Sequence, residues 1–406
     1  MSTSPLPASC DVLVVGAGPA GSACAQTLAA RGIDVLLVDQ HAFPRDKVCG
    51  DGLIPDAHAA LRRLGAYDEV MAQARTVAHV RCVAPRGGSV DVPGSLAVLP
   101  RKQLDDILCR SAQRAGARLL PPLRFEAPLL DGERVVGARL KGADGGHEIR
   151  ARWVVLATGA VPQAAIAAGV NERRTPSGVA LRGYVRNDAM VGRITQLQMV
   201  WHPKLSGGYG WIFPCPGGVF NIGAGLTGSH RTANDGRGRM QDVNLRQMFD
   251  AFCAVYAPAR ELMAGGALQG EIKGAPLRCS LDGAKWSRPG MLVTGEAAGS
   301  TYAFSGEGIG KAMETGMLAA DALLAGSADD AGVRARYDAA MQALKPKFSL
   351  YEKASHVNHR PWLADLVIWR ARRSSRILRR MSGVLEETQN PGRLLSWRGI
   401  TKLLFE

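Results

Sequence analysis

The stretch from Asp11 to Asp39, DVLVVGAGPAGSACAQTLAARGIDVLLVD, constrains this chain more than any other. Its apolar run Val12 to Val15 reads as a buried parallel strand, broken at Gly16-Ala17-Gly18-Pro19-Ala20-Gly21. A helical pattern follows to Arg31, Gly32 stops it, and Val35 to Val38 forms a second strand ending at Asp39. A bare G-x-G-x-x-G can be an ordinary glycine-rich turn. Here a strand precedes it, a helix follows and an acid closes the second strand, which is the context of a dinucleotide-binding βαβ unit. In that unit Gly16 makes the tight turn, Gly18 admits a pyrophosphate and Gly21 lets helix and strand pack closely. The helix start offers unpaired N–H groups and a positive dipole end to the phosphates. Asp39, followed by Gln40, stands where a carboxylate accepts the adenosine ribose hydroxyls. The position early in the chain favours FAD over NAD by association.

Beyond this unit, Gln40 to Leu53 is a turn-rich loop holding Arg45, Lys47, Cys49 and Gly50. Basic neighbours favour a thiolate at Cys49, and an inert packed thiol is the alternative. A helix runs from Pro55 to Leu64, two strands flank the turn Arg86-Gly87-Gly88-Ser89, and a helix covers Lys102 to Ala115. Residues 119–140 read as strands around Asp131-Gly132-Glu133, and Ile149 to Ala157 as another strand. From Pro162 the pattern changes to antiparallel strands, including Val179–Val185, Ile194–Trp201 and Val219–Gly225. A polar stretch, Gly228 to Arg239, leads into a helix at Val243–Tyr256. Then Met291 to Thr294 returns as a buried strand before Gly295-Glu296-Ala297-Ala298-Gly299. Ser305-Gly306-Glu307-Gly308-Ile309-Gly310 feeds a long helix, a second anion site at a helix N-terminus. Aimed at an isoalloxazine, its dipole would stabilise negative charge at N1 and O2 of the reduced ring.

The chain's 406 residues are 46% hydrophobic and 21% charged, enough for a sizeable core and more than one domain. No signal-peptide pattern opens it, and no apolar run approaches the ~20 residues that span a bilayer. Cys10, Cys24, Cys49, Cys82, Cys109, Cys215, Cys253 and Cys279 lack metal-ligand spacing and read as free thiols in a reducing cytoplasm, so no metal is expected. The formal charge of +14 suits an anionic cofactor or an anionic membrane surface. No nucleic-acid module accompanies it, so nucleic acid is not an expected partner. Arg360, Arg370, Arg372, Arg373, Arg376, Arg379 and Arg380 share their stretch with Trp362, Trp369 and one acid, Asp365. That composition suits an amphipathic helix on an anionic membrane, or a salt-bridged helix packed on the nucleotide domain.

Taken together these stretches resemble the geranylgeranyl reductase family of FAD proteins, and more broadly the p-hydroxybenzoate hydroxylase fold. The likeness runs in order from residue 11 to about residue 325. It rests on the nucleotide fingerprint with Asp39, and on Pro44-Arg45-Asp46-Lys47-Val48-Cys49-Gly50-Asp51-Gly52, similar to the family's P-R-x-K-x-C-G-x-G. Arg101 with Leu104 and Asp105 resembles an R-x-x-L-D segment near the flavin. Tyr209-Gly210-Trp211-Ile212-Phe213-Pro214 is similar to the Y-x-W-x-F-P substrate-cavity motif. Gly295-Glu296-Ala297-Ala298-Gly299 departs from the usual G-D-A-A-G by one longer acid. The Asp-Gly motif that many aromatic hydroxylases use for both FAD and NAD(P)H is absent after Gly159, as is the W-x-W-x-I-P of halogenases.

The resemblance implies an α/β fold: a Rossmann-like FAD-binding domain of the glutathione-reductase type, an inserted antiparallel β-sheet substrate domain and a C-terminal helical tail. Residues 1–75, 99–165 and 276–345 are assigned to the first, 76–98 and 166–275 to the second, and 346–406 to the tail. FAD is expected to contact the fingerprint residues, Asp39, Gln40, Arg45, Lys47, Gly50, Arg101, Gly295, Glu296, Gly306, Gly308, Ile309 and Gly310. Tyr209, Trp211 and Phe213 alternate, so a strand presents them on one face, as a substrate wall or a plain sheet core. The implied reaction is reduction of carbon–carbon double bonds in a hydrophobic, isoprenoid-like substrate, with Cys49 as proton donor and NAD(P)H or a reduced carrier as electron source. A flavin monooxygenase and a membrane-surface carrier passing electrons to quinone are the alternatives. The expected location is the cytoplasm, with peripheral contact on the inner face of the membrane.

Overall fold

The computed structural model describes residues 6–389 except 172, 206, 229, 233–237, 241–243 and 327. In chain order, the first half runs β1 (Ser9–Val15), α1 (Pro19–Ala29), β2 (Val35–Val38), β3 (Gly52–Leu53), α2 (Pro55–Arg63) and α3 (Tyr67–Gln73). It continues through β4 (Arg75–Val83), β5 (Ser89–Val98), α4 (Arg101–Arg114), β6 (Arg118–Leu119), β7 (Arg124–Asp131), β8 (Arg134–Gly142) and β9 (Gly145–Leu156). Next come α5 (Gln163–Ala167), β10 (Gly178–Arg186), β11 (Leu197–Val200), β12 (Gly208–Pro214), β13 (Val219–Thr227), the hairpin β14 (His230–Thr232) and β15 (Gly238–Met240), and α6 (Leu245–Val255). The chain then passes through α7 (Ala257–Ala264), β16 (Ala267–Leu268), β17 (Lys273–Leu277), β18 (Ser287–Arg288) and β19 (Met291–Val293). It closes with α8 (Ile309–Leu324), α9 (Asp330–Ala354), α10 (His356–His359), α11 (Pro361–Ala371) and α12 (Ser375–Leu385).

Two large sheets organise these elements. In the first, β19, β9, β1, β2 and β6 lie parallel in that order, with β18 antiparallel at one edge and the β7–β8 hairpin joined to β9. Its central strands are buried on both faces, which is why Val12–Val15 and Val35–Val38 are unbroken apolar runs. The helices α1, α4 and α8 pack together against it, and Gly316 of α8 crosses α1 where a Cβ would come within 2.1 Å of the Ala20 carbonyl oxygen.

The second sheet follows the order β16-β10-β13-β12-β11-β4-β5-β3, with β17 also on β10. Its pairings are antiparallel except β4 with β11, which run parallel. Parallel neighbours need a long connection, and here four of the first sheet's eight strands, β6 to β9, separate them in the chain. On one face α6 and α7 cover Ile212, Phe220 and Ile222. On the other, Leu363, Ile368 and Ile377 of α11 and α12 pack on Val77, Val80, Val92 and Leu96. The basic stretch is therefore two helices rather than one, and the apolar side chains of both cover the second sheet. Residues 390–406 of the expected tail lie outside the described residues.

Candidate active site

A cavity of about 450 Å³ opens at the carboxyl ends of β1 and β2 and extends to β12 of the second sheet. The crevice beyond the carboxyl ends of parallel strands is where such sheets bind ligands. At its phosphate end Gly16 holds φ +102°, and a Cβ there would lie 2.3 Å from the Ala157 carbonyl oxygen. Gly21 packs against Gly16, leaving 1.7 Å between a Cβ and the Gly16 oxygen. Gly18 is different: a Cβ would meet Arg45 Nη2 at 3.4 Å and Arg101 Nη2 at 3.7 Å. Two guanidinium groups thus stand over the N-terminus of α1, a cradle for a pyrophosphate. Asp105 fixes both, accepting two bonds from Arg101 at 2.5 and 2.7 Å and pairing with Arg45 at 3.0 Å. Asp39 Oδ2 accepts from the Ala17 N–H at 2.9 Å and Oδ1 from the His41 N–H at 3.0 Å, which orients the carboxylate.

The loop from Arg45 to Gly52 bridges the two sheets. Buried Arg182 of β10 donates to Asp46 Oδ1 at 2.8 Å and to the Lys47 carbonyl at 2.9 Å. Lys47 pairs with Glu296 at 3.2 Å, a reach that suits the longer acid. Glu296 Oε1 accepts from Thr301 and from the Arg278 N–H. Phe213 presses on this loop, since a Cβ on Gly50 would approach its ring at 3.2 Å. Tyr209, Trp211 and Phe213 all face the cavity from β12, their rings spaced 6.2 and 6.5 Å apart. Cys49 also lines the cavity, with its sulfur against the Arg101 guanidinium.

Gly16, Gly18, Pro19, Ala20, Asp39, Gln40, Arg45, Lys47, Cys49, Gly50, Arg101, Glu296, Gly306, Gly308 and Ile309 all face this one cavity. Ala17, Gly21, Gly295 and Gly310 do not line it and act in packing. Gly295 approaches Ala20, and Gly310 leaves room for the Asp56 carboxylate at 2.3 Å from where its Cβ would be.

Several residues were missed from sequence. Glu307, between two cavity glycines, has its carboxyl pushed up to about 8 by burial and by the Asp56 charge. Asp56 is pushed up to about 7 by burial, against the pull of Lys311 at 3.7 Å. Asp51, Tyr184 and Asn221 form a buried polar cluster behind Cys49. A signal existed: Asn221 interrupts the apolar run VFNIGAGL, and an amide inside a buried strand needs a partner.

The residues fit a flavin dinucleotide. The arginine pair over Gly18 matches a pyrophosphate, and Thr158 Oγ1, buried on the cavity wall, has no partner among the described residues. Residues 9–202 match the model of the FAD binding domain family, which supports FAD as the cofactor. The chain is 35% identical over 343 residues to menaquinone reductase of Mycobacterium tuberculosis, covering 78% of this chain and 76% of that protein. It is 30% identical to digeranylgeranylglycerophospholipid reductase of Methanosarcina mazei, covering 77% and 74%. Among solved structures, a geranylgeranyl bacteriochlorophyll reductase-like protein from Thermoplasma acidophilum superposes with a TM-score of 0.72 at 21% identity, covering 98% of this chain and 96% of that one. A flavin-dependent brominase shares the fold equally, with a TM-score of 0.73 at 18% identity over 98% of both chains. The arginine cradle, the P-R-x-K-x-C-G-x-G loop and the two reductase relatives converge: this chain belongs to the geranylgeranyl reductase family of FAD-dependent oxidoreductases.

Proposed function

We propose that this enzyme reduces carbon–carbon double bonds in a long apolar, isoprenoid-like substrate, with electrons from NAD(P)H or a reduced carrier. The aromatic wall of Tyr209, Trp211 and Phe213 carries this reading. It continues into Ile54, Leu197 and Leu385 around the same cavity. Each methylene buried there contributes ~0.8 kcal/mol, so a chain is recognised by length and shape rather than by hydrogen bonds. Reduced FAD, when bound, supplies the hydride. Cys49 Sγ is the candidate proton donor to the second carbon. The second sheet, residues 76–98 and 166–275, is the substrate-binding domain of this reading, inserted in a glutathione-reductase-type FAD domain. The relatives' names include a menaquinone and a digeranylgeranyl lipid, both isoprenoid-bearing. The test is anaerobic photoreduction followed by mixing with polyprenyl quinones and geranylgeranyl lipids. Flavin reoxidation with appearance of the saturated product is expected. Substrate-coupled oxygen consumption with a hydroxylated product would replace this reading with a monooxygenase, and turnover of any quinone without saturation would replace it with an electron carrier.

The tail adds a membrane contact to the same reading. Trp362 and Trp369, two turns apart on α11, are 55% and 45% exposed. The Arg373 guanidinium lies 4.8 Å from the Trp369 ring centre, and Arg372 and Arg379 are exposed nearby. Indole rings beside arginines suit the interface of an anionic bilayer, here the inner face of the cytoplasmic membrane. Among the described residues no helix is long and apolar enough to cross a membrane. Flotation with anionic vesicles is expected to carry the protein and to fail for the Trp362→Ala/Trp369→Ala double variant. Equal flotation with neutral vesicles would rule out the charge-based contact.

A further inference from the structure

Asp51 follows Gly50 in the loop that carries Cys49, and the loop's conformation turns on it. The residue is fully buried and holds φ +64°, a left-handed conformation that Asp and Asn tolerate better than most side chains. Its backbone N–H points at Cys49 Sγ, 3.4 Å away. Its carbonyl accepts from Leu99 at 3.2 Å, which joins the loop to the start of α4.

The carboxylate of Asp51 is ringed by donors from three elements. Tyr184 of β10 donates its hydroxyl to Oδ2 at 2.5 Å, and Asn221 of β13 donates its amide to the same oxygen at 2.7 Å. The Arg101 N–H of α4 reaches Oδ1 at 3.2 Å. Tyr184 and Asn221 are register partners across the β10–β13 pairing, so the sheet presents both on one face. Asn221 also donates to the Cys49 carbonyl at 2.8 Å, and its own oxygen accepts from the Trp211 indole at 2.9 Å. A single carboxylate thereby joins the thiol loop, the aromatic wall and the arginine over the phosphate cradle.

We propose that Asp51 is the positioning residue for Cys49, its carboxylate clamping the Cys49–Gly50 backbone to Tyr184 and Asn221 so that the thiol stays aimed into the cavity. This rests on the reading of Cys49 as the proton donor. The charged and titratable groups around the carboxylate are Arg182, stacked 4.0 Å over the Tyr184 ring, Arg101, Tyr184 itself, Cys49 and Cys215. Burial raises the Asp51 carboxyl to about 6 against the hydrogen bonds of Tyr184 and Asn221 and the charges of Arg182 and Arg101. Protonation below that value removes an acceptor and loosens the clamp.

The experiment measures alkylation of Cys49 by iodoacetamide in the FAD-loaded protein, resolved by peptide mass spectrometry from pH 5 to 8 and corrected for thiolate fraction. Wild type is expected to react faster as pH falls through about 6. Asp51→Asn and Asp51→Gly, which both tolerate the left-handed backbone, should react about fivefold faster at pH 8 and lose that inflection, the change expected when one buried hydrogen bond no longer opposes local opening. Tyr184→Phe should shift the rate the same way by less. Retained flavin absorbance and unchanged circular dichroism show that each variant folds. Wild-type rates and pH dependence in Asp51→Asn would overturn the clamp. Wild-type behaviour in Asp51→Gly alone would overturn it too, by reducing the role to backbone conformation. The part played by the thiol is read separately: full turnover by Cys49→Ser removes Cys49 from the reaction whatever the alkylation rates show.

Discussion

Arg101 and Asp105 meet where their side chains are 8% and 0% exposed. Removing one partner of such a pair strands a buried charge, at a cost of about 3–5 kcal/mol. Arg101→Ala is therefore expected to destabilise the fold as well as the cofactor site. Arg101→Lys keeps the charge and loses the planar fork, so FAD should bind roughly tenfold more weakly with a smaller loss of stability. Flavin fluorescence titration beside urea denaturation separates the two effects. Glu307 and Asp56 support a second prediction. Both are raised, to about 8 and about 7, so the folded chain keeps protons that the unfolded chain releases in the ordinary carboxylate range. Stability should then fall as pH rises from about 5 towards 8, because the native state binds more protons across that window. Glu307→Gln should weaken this fall, giving a higher Tm than wild type at pH 8 and little difference at pH 5. At this scale the convergence of the expected cofactor residues on one cavity was largely legible, because phosphate binding demands glycines and arginines at fixed offsets. The Asp51 clamp was not: its partners Tyr184 and Asn221 come from distant strands, and only the fold brings them together.

The elements divide by how local their causes are. The existence and order of β1, α1 and β2 could be read directly, since a doubly buried strand must be an apolar run, but β1 starts earlier, at Ser9, and α1 ends at Ala29 rather than Arg31. The two-residue β3 was read as loop, because Gly52 and Leu53 become a strand only by pairing with Val98 and Ala97. The parallel pairing of β4 with β11 has no local signal either, being set by sheet packing. The α1–α8 crossing shows the same dependence. Gly316 in α8 carries no local signal for this role, yet it sets the distance between the two helices whose N-terminal ends border the cavity. Gly316→Ala would drive a methyl towards the Ala20 carbonyl and should cost about 1–3 kcal/mol, the usual penalty of overpacking. Chemical denaturation with the flavin removed measures this without interference from cofactor binding.

Across the whole molecule, the tail packs on the second sheet and is also held by a buried ion-pair cluster at its end. Glu387, just beyond α12, accepts from Tyr302 at 2.7 Å, pairs with buried Lys311 at 3.1 Å and is bonded by Lys347. Lys311 also holds Glu314 at 2.6 Å, so the C-terminal segment is tied to the first turn of α8. Glu387→Ala is expected to free that end, seen as faster limited proteolysis of residues 375–389 while the nucleotide unit stays protected. The sequence shows the tail's charge but not this anchor, because nothing local in the Glu386-Glu387 pair marks which acid turns inward to Lys311.

Asn358 and Leu385 of that same segment reach the cavity wall. The boundary of the cavity is thus divided between a sheet enclosed by the rest of the fold and a C-terminal stretch that meets the cofactor half through the Glu387 contacts and the Asn358 bond to the Phe304 carbonyl. Grafting the tail of one homologue onto the body of another becomes a modular route to altered chain-length preference, with flavin chemistry held constant as the internal reference.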